Sequence, residues 1–237
     1  MSSELAVIDA RSPKEAISNL KGYVDDVYLF SSSGISYNSI SGHPDIFLFQ
    51  DSNKNILAPN APMEFIQFLE SKKIDFTFGK SFIGDQFSNS VQFNCLSNES
   101  YFFHKKGFTD EIINNHVKNK IFIELPQAYT RCSMISLGKG NYVTSDKGIQ
   151  KVLEKQNLNC FYFSAEDIRI IDHQHGFFGG TCGISGNKIF FNGDIRKHKK
   201  GTALETYIQN IGYQPIYLHN DYLYDGGGIF FFGSMSE

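Results

Sequence analysis

Short apolar runs recur along the chain, each leading through a polar turn into a stretch whose apolar residues return every three or four positions, and then into a second apolar run. The runs have the length and aromatic or β-branched content of buried strands, and the stretches have the period of amphipathic helices. The pattern occurs five times. LAVID (5–9) leads through SPKEAISNLKGYV (12–24) to DVYLF (26–30), with Ile17, Leu20 and Val24 on one face; Ser12, Pro13 and Glu15 predict a capping box with proline at the first helical position. DIFLFQ (45–50) leads through APMEFIQFLESKK (61–73), with Phe65, Phe68 and Leu69 as its stripe, to IDFTF (74–78). VQFNCL (91–96) and SYFFH (100–104) precede TDEIINNHVKNK (109–120) and IFIEL (121–125), burying Ile112, Ile113 and Val117. CSMISLG (132–138) and NYVTSD (141–146) precede KGIQKVLEKQN (147–157) and CFYFS (160–164), burying Ile149, Val152 and Leu153. KIFFNGD (188–194) leads through GTALETYIQNIG (201–212), with a second capping box from Thr202 to Glu205, to PIYLH (215–219).

One run, GIFFF (228–232), has no helix after it. It can pair with the first unit and close a ring, which removes exposed sheet edges. The expected architecture is therefore α/β: a five-fold pseudo-symmetric propeller of strand-helix-strand repeats, ring-closed by the C-terminal strand. Its single domain would divide at about 1–40, 41–82, 83–128, 129–175 and 176–223, with the closing strand in 224–237. An ordinary mixed α/β domain also alternates strands and helices, and is the competing expectation.

Composition narrows the function classes. With 237 residues, 41% of them hydrophobic, and 23 Phe and 12 Tyr but no Trp, the chain can bury a sizeable core. A net charge of −3 gives no pull toward nucleic acid or an anionic membrane. The basic run at 196–200 reads as a solvated turn. Glu4 and Asp9 interrupt any signal-peptide core, and no apolar run reaches the ~18 residues that span a bilayer. A soluble, cytoplasmic protein is expected, with a small-molecule partner and neither nucleic acid nor membrane as partner. Its cysteines, Cys95, Cys132, Cys160 and Cys182, are widely spaced without a CxxC pair, so free thiols are expected. Asp172, His173, His175 and Cys182 lie close in sequence, but their spacing matches no zinc pattern; no metal and no cofactor are expected.

In a closed ring, the segments that open each unit's inner strand line a shared centre. They are SGHPDIFLF (41–49), IGDQFSNSVQF (83–93), YTRCSMISL (129–137), GFFGGTCGISG (176–186) and YDGGGIFFF (224–232). They hold His43, Asp45, Asp85, Arg131, Cys132, Gly180, Cys182 and Asp225, whereas the helices carry ordinary surface charge.

Five strand-helix-strand units in a ring resemble the pentein fold of the guanidino-group-modifying enzymes: arginine and agmatine deiminases, dimethylarginine hydrolases and amidinotransferases. Ribosome anti-association factors share that fold without the chemistry. SGHPDIFLF resembles the family's Gly-His-x-Asp segment, which implies His43 as general acid/base and Asp45 as a guanidinium ligand. RCSMISL resembles the deiminase segment around the nucleophile, which implies Cys132 in that role with Arg131 beside it. YDGGGI is similar to the acid-Gly-Gly segment whose carboxylate, here Asp225, grips the guanidinium. The order of these motifs fits the family if the chain starts at a different point on the ring. One departure stands out: GFFGGTCGI has no carboxylate where the family has a second acid, and offers Gly180 and Cys182 instead.

The residue types suit such chemistry. A guanidinium carbon is a poor electrophile, so attack needs a thiolate, stabilised by Arg131, His43 or the substrate's own charge. Asp45 and Asp225 would orient the planar fork, and His43 would protonate the leaving amine and activate water. The resemblance thus implies a cysteine-dependent hydrolase or transferase acting on a guanidino or related C–N bond, with Arg131, Asp45, Gly180 and Cys182 contacting substrate. Each residue also has a plainer role. Cys132 reads equally as a core thiol in a strand, His43 as a turn residue held extended by Pro44, and Asp45 and Asp225 as acceptors of turn amides. Cys182 is a rival nucleophile. The alternative function is a non-catalytic pentein-fold protein that binds a small molecule or a protein partner.

Overall fold

The computed structural model describes residues 4–233. Residues 1–3 and 234–237, which belong to the expected first repeat and closing strand, lie outside the described residues. The chain builds five small three-stranded sheets of one common design. In the second, β3 (Leu48–Gln50) runs antiparallel to β4 (Asn55–Leu57), which passes through α2 (Met63–Ser71) to the parallel β5 (Thr77–Phe78). The third has β6 (Leu96–Ser97), β7 (Tyr101–His104), α4 (Glu111–Val117) and β8 (Ile121–Glu124), after a short helix α3 (Phe87–Ser90). In the fourth, α5 (Thr130–Ser133) leads to β9 (Met134–Ser136), β10 (Asn141–Thr144), α6 (Lys147–Lys155) and β11 (Asn159–Tyr162). The fifth has β12 (Cys182–Ser185), β13 (Lys188–Phe191), α7 (Gly201–Asn210) and β14 (Gln214–Tyr217).

The first sheet borrows its inner strand from the far end of the chain. β1 (Leu5–Asp9) connects through α1 (Lys14–Leu20) to the parallel β2 (Asp26–Phe30), and β15 (Phe230–Phe232) completes it antiparallel, Val7 opposite Phe230 and Leu5 opposite Phe232. The leftover C-terminal run thus finds the partner its sequence position suggested, and joins the two ends of the chain in one sheet.

The middle strands and the helix stripes make the core. Leu20, Phe65, Leu69, Ile113, Val117, Ile149, Leu153, Leu204 and Ile208 are all buried against the sheets. Removing an aromatic such as Phe65 from water contributes roughly 1.5–3 kcal/mol. Outer strand β8 keeps Ile121 and Phe122 exposed.

Both expected capping boxes are absent. The hydroxyl of Ser12 accepts from Asn192 Nδ2 at 2.9 Å, a tertiary bond that takes it away from the helix. Helix α7 starts at Gly201, where a Cβ would come within 2.1 Å of the Ile195 carbonyl, so Thr202 lies inside the helix and Glu205 instead accepts from the Tyr217 hydroxyl at 2.8 Å. The side-chain caps sit on two other helices, where Asp110 accepts from the Ile112 amide and Asp146 from the Ile149 amide.

The inner strands are also shorter than their apolar runs. Residues 130–133 and 179–181 form single helical turns immediately before β9 and β12, residues 44–46 form one that ends one residue before β3, and residues 87–90 form one that ends five residues before β6. At α5 the turn is pinned by the amides of Thr130 and Arg131, which both donate to the Asn94 carbonyl, and by the Ser133 hydroxyl on the Tyr129 carbonyl. A helical turn releases the side chains of these segments from strand alternation. Cys132 is therefore at the mouth of a strand rather than within one.

Candidate active site

The turns before the inner strands bring their polar side chains to one place. His43 and Asp45 come from the turn before β3, Asn94 from the segment before β6, Cys132 from α5, and Asp225 from the loop before β15; all five are buried. The Cys132 thiol donates to Asp45 Oδ2 at 2.9 Å. Asn94 frames the thiol: its Nδ2 donates to Sγ at 3.1 Å and to the Asp45 carbonyl at 3.3 Å, while its Oδ1 accepts from the Cys132 amide at 3.1 Å. A ligand atom from each of His43, Asp45 and Cys132 falls within 4.8 Å of the others.

Asp225 is held from beneath. Its Oδ2 accepts from the Phe177 amide at 2.7 Å and its Oδ1 from the Gly227 amide at 3.1 Å. Two glycines make room for it. A Cβ on Gly180 would sit 1.9 Å from Asp225 Oδ1, and Gly227, at φ +72, would bring a Cβ to 2.4 Å from that of His43. His43 has the extended backbone expected before proline, φ −85 and ψ 110. Its Nδ1 is 4.0 Å from Asp225 Oδ1, beyond hydrogen-bond distance, and among the described residues neither ring nitrogen has a hydrogen-bond partner.

Burial sets the charges. It lowers the His43 pKa to about 3, with the Arg11 cation acting in the same direction, so the imidazole is neutral. It raises Asp45 to about 6, against the opposing field of Arg131, and Asp225 to about 7, against the Phe177 hydrogen bond. Burial and the nearby Asp45 and Asp225 charges push the Cys132 thiol well up. In this resting arrangement the imidazole is uncharged and the guanidinium donates elsewhere, which leaves a substrate's own charge as the remaining source of the three expected for a thiolate. Arg131 Nη1 donates to the Gly179 carbonyl at 2.5 Å, Nη2 to the Cys182 carbonyl at 3.1 Å, and its Cζ lies 5.3 Å from the Phe230 ring centroid.

Cys182 is not beside the cluster's thiol. Its side chain is buried in an apolar group with Phe178 and Phe191, and burial pushes its pKa up to about 12, as for a cysteine in the core. The sequence reading missed Asn94, whose signal was a polar residue inside the otherwise apolar FNCL run. It also missed Asp9 and Arg11. The buried Asp9 carboxylate takes Arg11 Nε and Nη2 at 2.9–3.3 Å, and Arg11 reaches the carbonyls of Asn38 and Ser39, pinning the loop that leads into His43. Asp172 and His173 meet that loop through Asn38 and Ser39, and the one Cys/His/Asp group near enough to share a metal ion among the described residues is His43, Asp45 and Cys132. Those three donor types suit zinc, but the thiol proton shared with Asp45 would first have to leave.

Among the described residues no helix is long and apolar enough to cross a membrane, and all four cysteines are free. No protein of curated function matches the sequence. Solved structures do match its fold. An agmatine deiminase from C. jejuni superposes with a TM-score of 0.55 at 9% identity, covering 90% of this chain and 87% of its own. DDAH from Pseudomonas aeruginosa, solved with citrulline, gives 0.52 at 8% identity over 90% and 91%. An amidinotransferase of saxitoxin biosynthesis from Microseira wollei gives 0.52 at 10% identity over 95% and 89%. All three are penteins, and this chain shares their fold. Residues 7–230 match a family model described as a family of unknown function, DUF6873, so the chain belongs to that family and carries it on the pentein fold.

Proposed function

We propose that the chain is a pentein-type hydrolase or transferase that attacks the C–N bond of a guanidino compound through a covalent thiol intermediate on Cys132, and that its five sheets close as a propeller around the site in one domain. The observation that carries this reading is the company Cys132 keeps. A buried thiol, an imidazole with both nitrogens unpartnered and two buried carboxylates meet at one point, and among the described residues no lysine or arginine forms an ion pair with either carboxylate. A planar cation would satisfy all of them.

In this reading the substrate brings the missing positive charge. With Asp45 and Asp225 ionised around it, the guanidinium lowers the cost of a thiolate, and the thiol proton passes to His43. Sulfur bonds to the central carbon as a C=N electron pair moves onto nitrogen. The tetrahedral carbon then expels an amine that takes the proton from His43. Water, deprotonated by His43, releases the product and restores the thiol; an acceptor amine in place of water makes the same cycle a transfer. Four free thiols support a reducing, cytoplasmic location.

The GFFGGTCGI segment has no carboxylate where the family has a second acid, and the resting thiol is protonated; these favour the second reading, a cation-binding protein without turnover. One experiment separates the readings. Calorimetric titration with agmatine and with arginine, in two buffers of different ionisation enthalpy, should show proton release, with affinity rising from pH 5 to pH 8 as Asp45 and Asp225 ionise. Trapping a Cys132 adduct by mass spectrometry then favours the enzyme, binding without adduct or product favours the second reading, and no binding at any pH refutes both.

A further inference from the structure

A cavity of about 910 Å³ opens at the ends of the inner strands opposite to the Cys132 cluster. All five inner strands contribute to it, through Gln50, Ser97, Ser136, Ile184 and Phe230. Its volume is that of a small-molecule site. Arg131 lines it and is partly exposed, although the neighbouring Cys132 is buried among the groups of the opposite end.

The guanidinium of Arg131 is held rigidly but not neutralised. Phe230 lies over it, and Gly228 packs so closely that a Cβ there would be 2.5 Å from Nη2. The acceptors of Nη1 and Nη2 are carbonyls, and among the described residues Arg131 forms no ion pair with a carboxylate. A guanidinium has five N–H donors, so those two bonds leave three for a ligand. Lys139, an exposed residue without an ion pair among the described residues, stands on the same lining, against one acid, Glu99. Ile184, Tyr213 and Phe231 supply apolar wall.

We propose that this cavity is a second ligand site, which takes a small organic oxyanion, a carboxylate or a phosphate monoester on an apolar body, with Arg131 as its bidentate partner and Lys139 at its rim. Preorganised guanidinium groups of this kind favour two-oxygen acceptors. The proposal does not rest on the chemistry proposed at Cys132, although the Arg131 cation also acts on Asp45, and the two are tested separately.

The test is calorimetric titration with phenyl phosphate and, in parallel, benzoate, so that the two arms distinguish the two oxyanions. Saturable binding of one or both is expected in the wild type and in protein whose Cys132 has been replaced by alanine. Arg131→Gln should weaken it by about tenfold or more. Because that change is close to the core, Lys139→Glu, at an exposed turn, serves as the second variant, with a loss of roughly three- to tenfold expected at low salt. Absence of saturation up to about 10 mM for both probes overturns the proposal. So does binding that Cys132→Ala abolishes, or binding that Lys139→Glu leaves unchanged.

Discussion

The Cys132 thiol donates a hydrogen bond to Asp45: Sγ lies 2.9 Å from Oδ2, and both groups are buried. A negative carboxylate beside a thiol disfavours the thiolate, so the resting sulfur should be unreactive until a cation enters. Thiolate absorbance at 240 nm, with peptide mapping of alkylated cysteines, should place the Cys132 midpoint above the ~8.5 of a free thiol. Asp45→Asn removes the charge and should speed alkylation of Cys132 by about tenfold near neutral pH. A wild-type midpoint below that of a free thiol would remove the argument for substrate-supplied charge.

The same carboxylate shapes stability against pH. Asp45 is raised in the folded state to about 6 from an ordinary 3.8. Between these values the folded protein binds more protons than the unfolded, so this group's contribution is fully present below about pH 4 and is lost as pH rises through 6. Asp45→Asn should therefore gain on the wild type as pH increases from 4 to 7, by about 1–3 kcal/mol or several degrees in Tm. His43 acts oppositely, because its folded pKa is depressed to about 3, and its contribution is lost as pH falls through that range. The comparison of the two Tm profiles isolates Asp45, since both proteins keep His43; parallel profiles would refute the assignment.

Asn94 should matter more than its place in an apolar run suggests. Truncating it to alanine strands the buried Cys132 amide and removes the amide donor to the sulfur. An orphaned buried donor costs about 1–3 kcal/mol. Chemical denaturation of Asn94→Ala should register a loss in that range, along with a higher thiol midpoint than the wild type. A variant as stable as the parent would mean that the amide finds another acceptor.

Where the sequence was readable, and where it was not, follows from the range of the forces involved. Apolar period alone placed β1 and β2 at their observed bounds and α2, α6 and α7 within two residues, because burial of Phe65 or Leu153 leaves a local imprint, whereas α1 and α4 stop four and three residues before the stretches that predicted them. The sheet made by Val7 and Phe230 was reachable only by counting units. Cys132, His43, Asp45 and Asp225 stood out as titratable groups at unit openings. Their charge states did not: what neutralises His43 and protonates Cys132 is burial by distant segments, and Arg131, adjacent to Cys132 in sequence, faces the opposite end of the strand. Capping boxes failed for a similar reason, since Asn192 and Tyr217 compete for Ser12 and Glu205 from far along the chain.

Gly180 tests whether Asp225 is held where a cation needs it. Its φ is not in the left-handed region, so alanine there is restricted by space alone: the new Cβ would lie 1.9 Å from Asp225 Oδ1 and 2.6 Å from its Cγ. The carboxylate cannot retreat far, because the amides of Phe177 and Gly227 hold both oxygens. Gly180→Ala should therefore lose about 1–3 kcal/mol of stability by overpacking, and agmatine affinity should fall by tenfold or more. Gly84→Ala is the matched control, since its Cβ meets Asn89 at an ordinary 3.5 Å and should change neither quantity. If Gly180→Ala loses stability but binds agmatine like the wild type, Asp225 is a structural acceptor of turn amides and the cation sits on Asp45 alone.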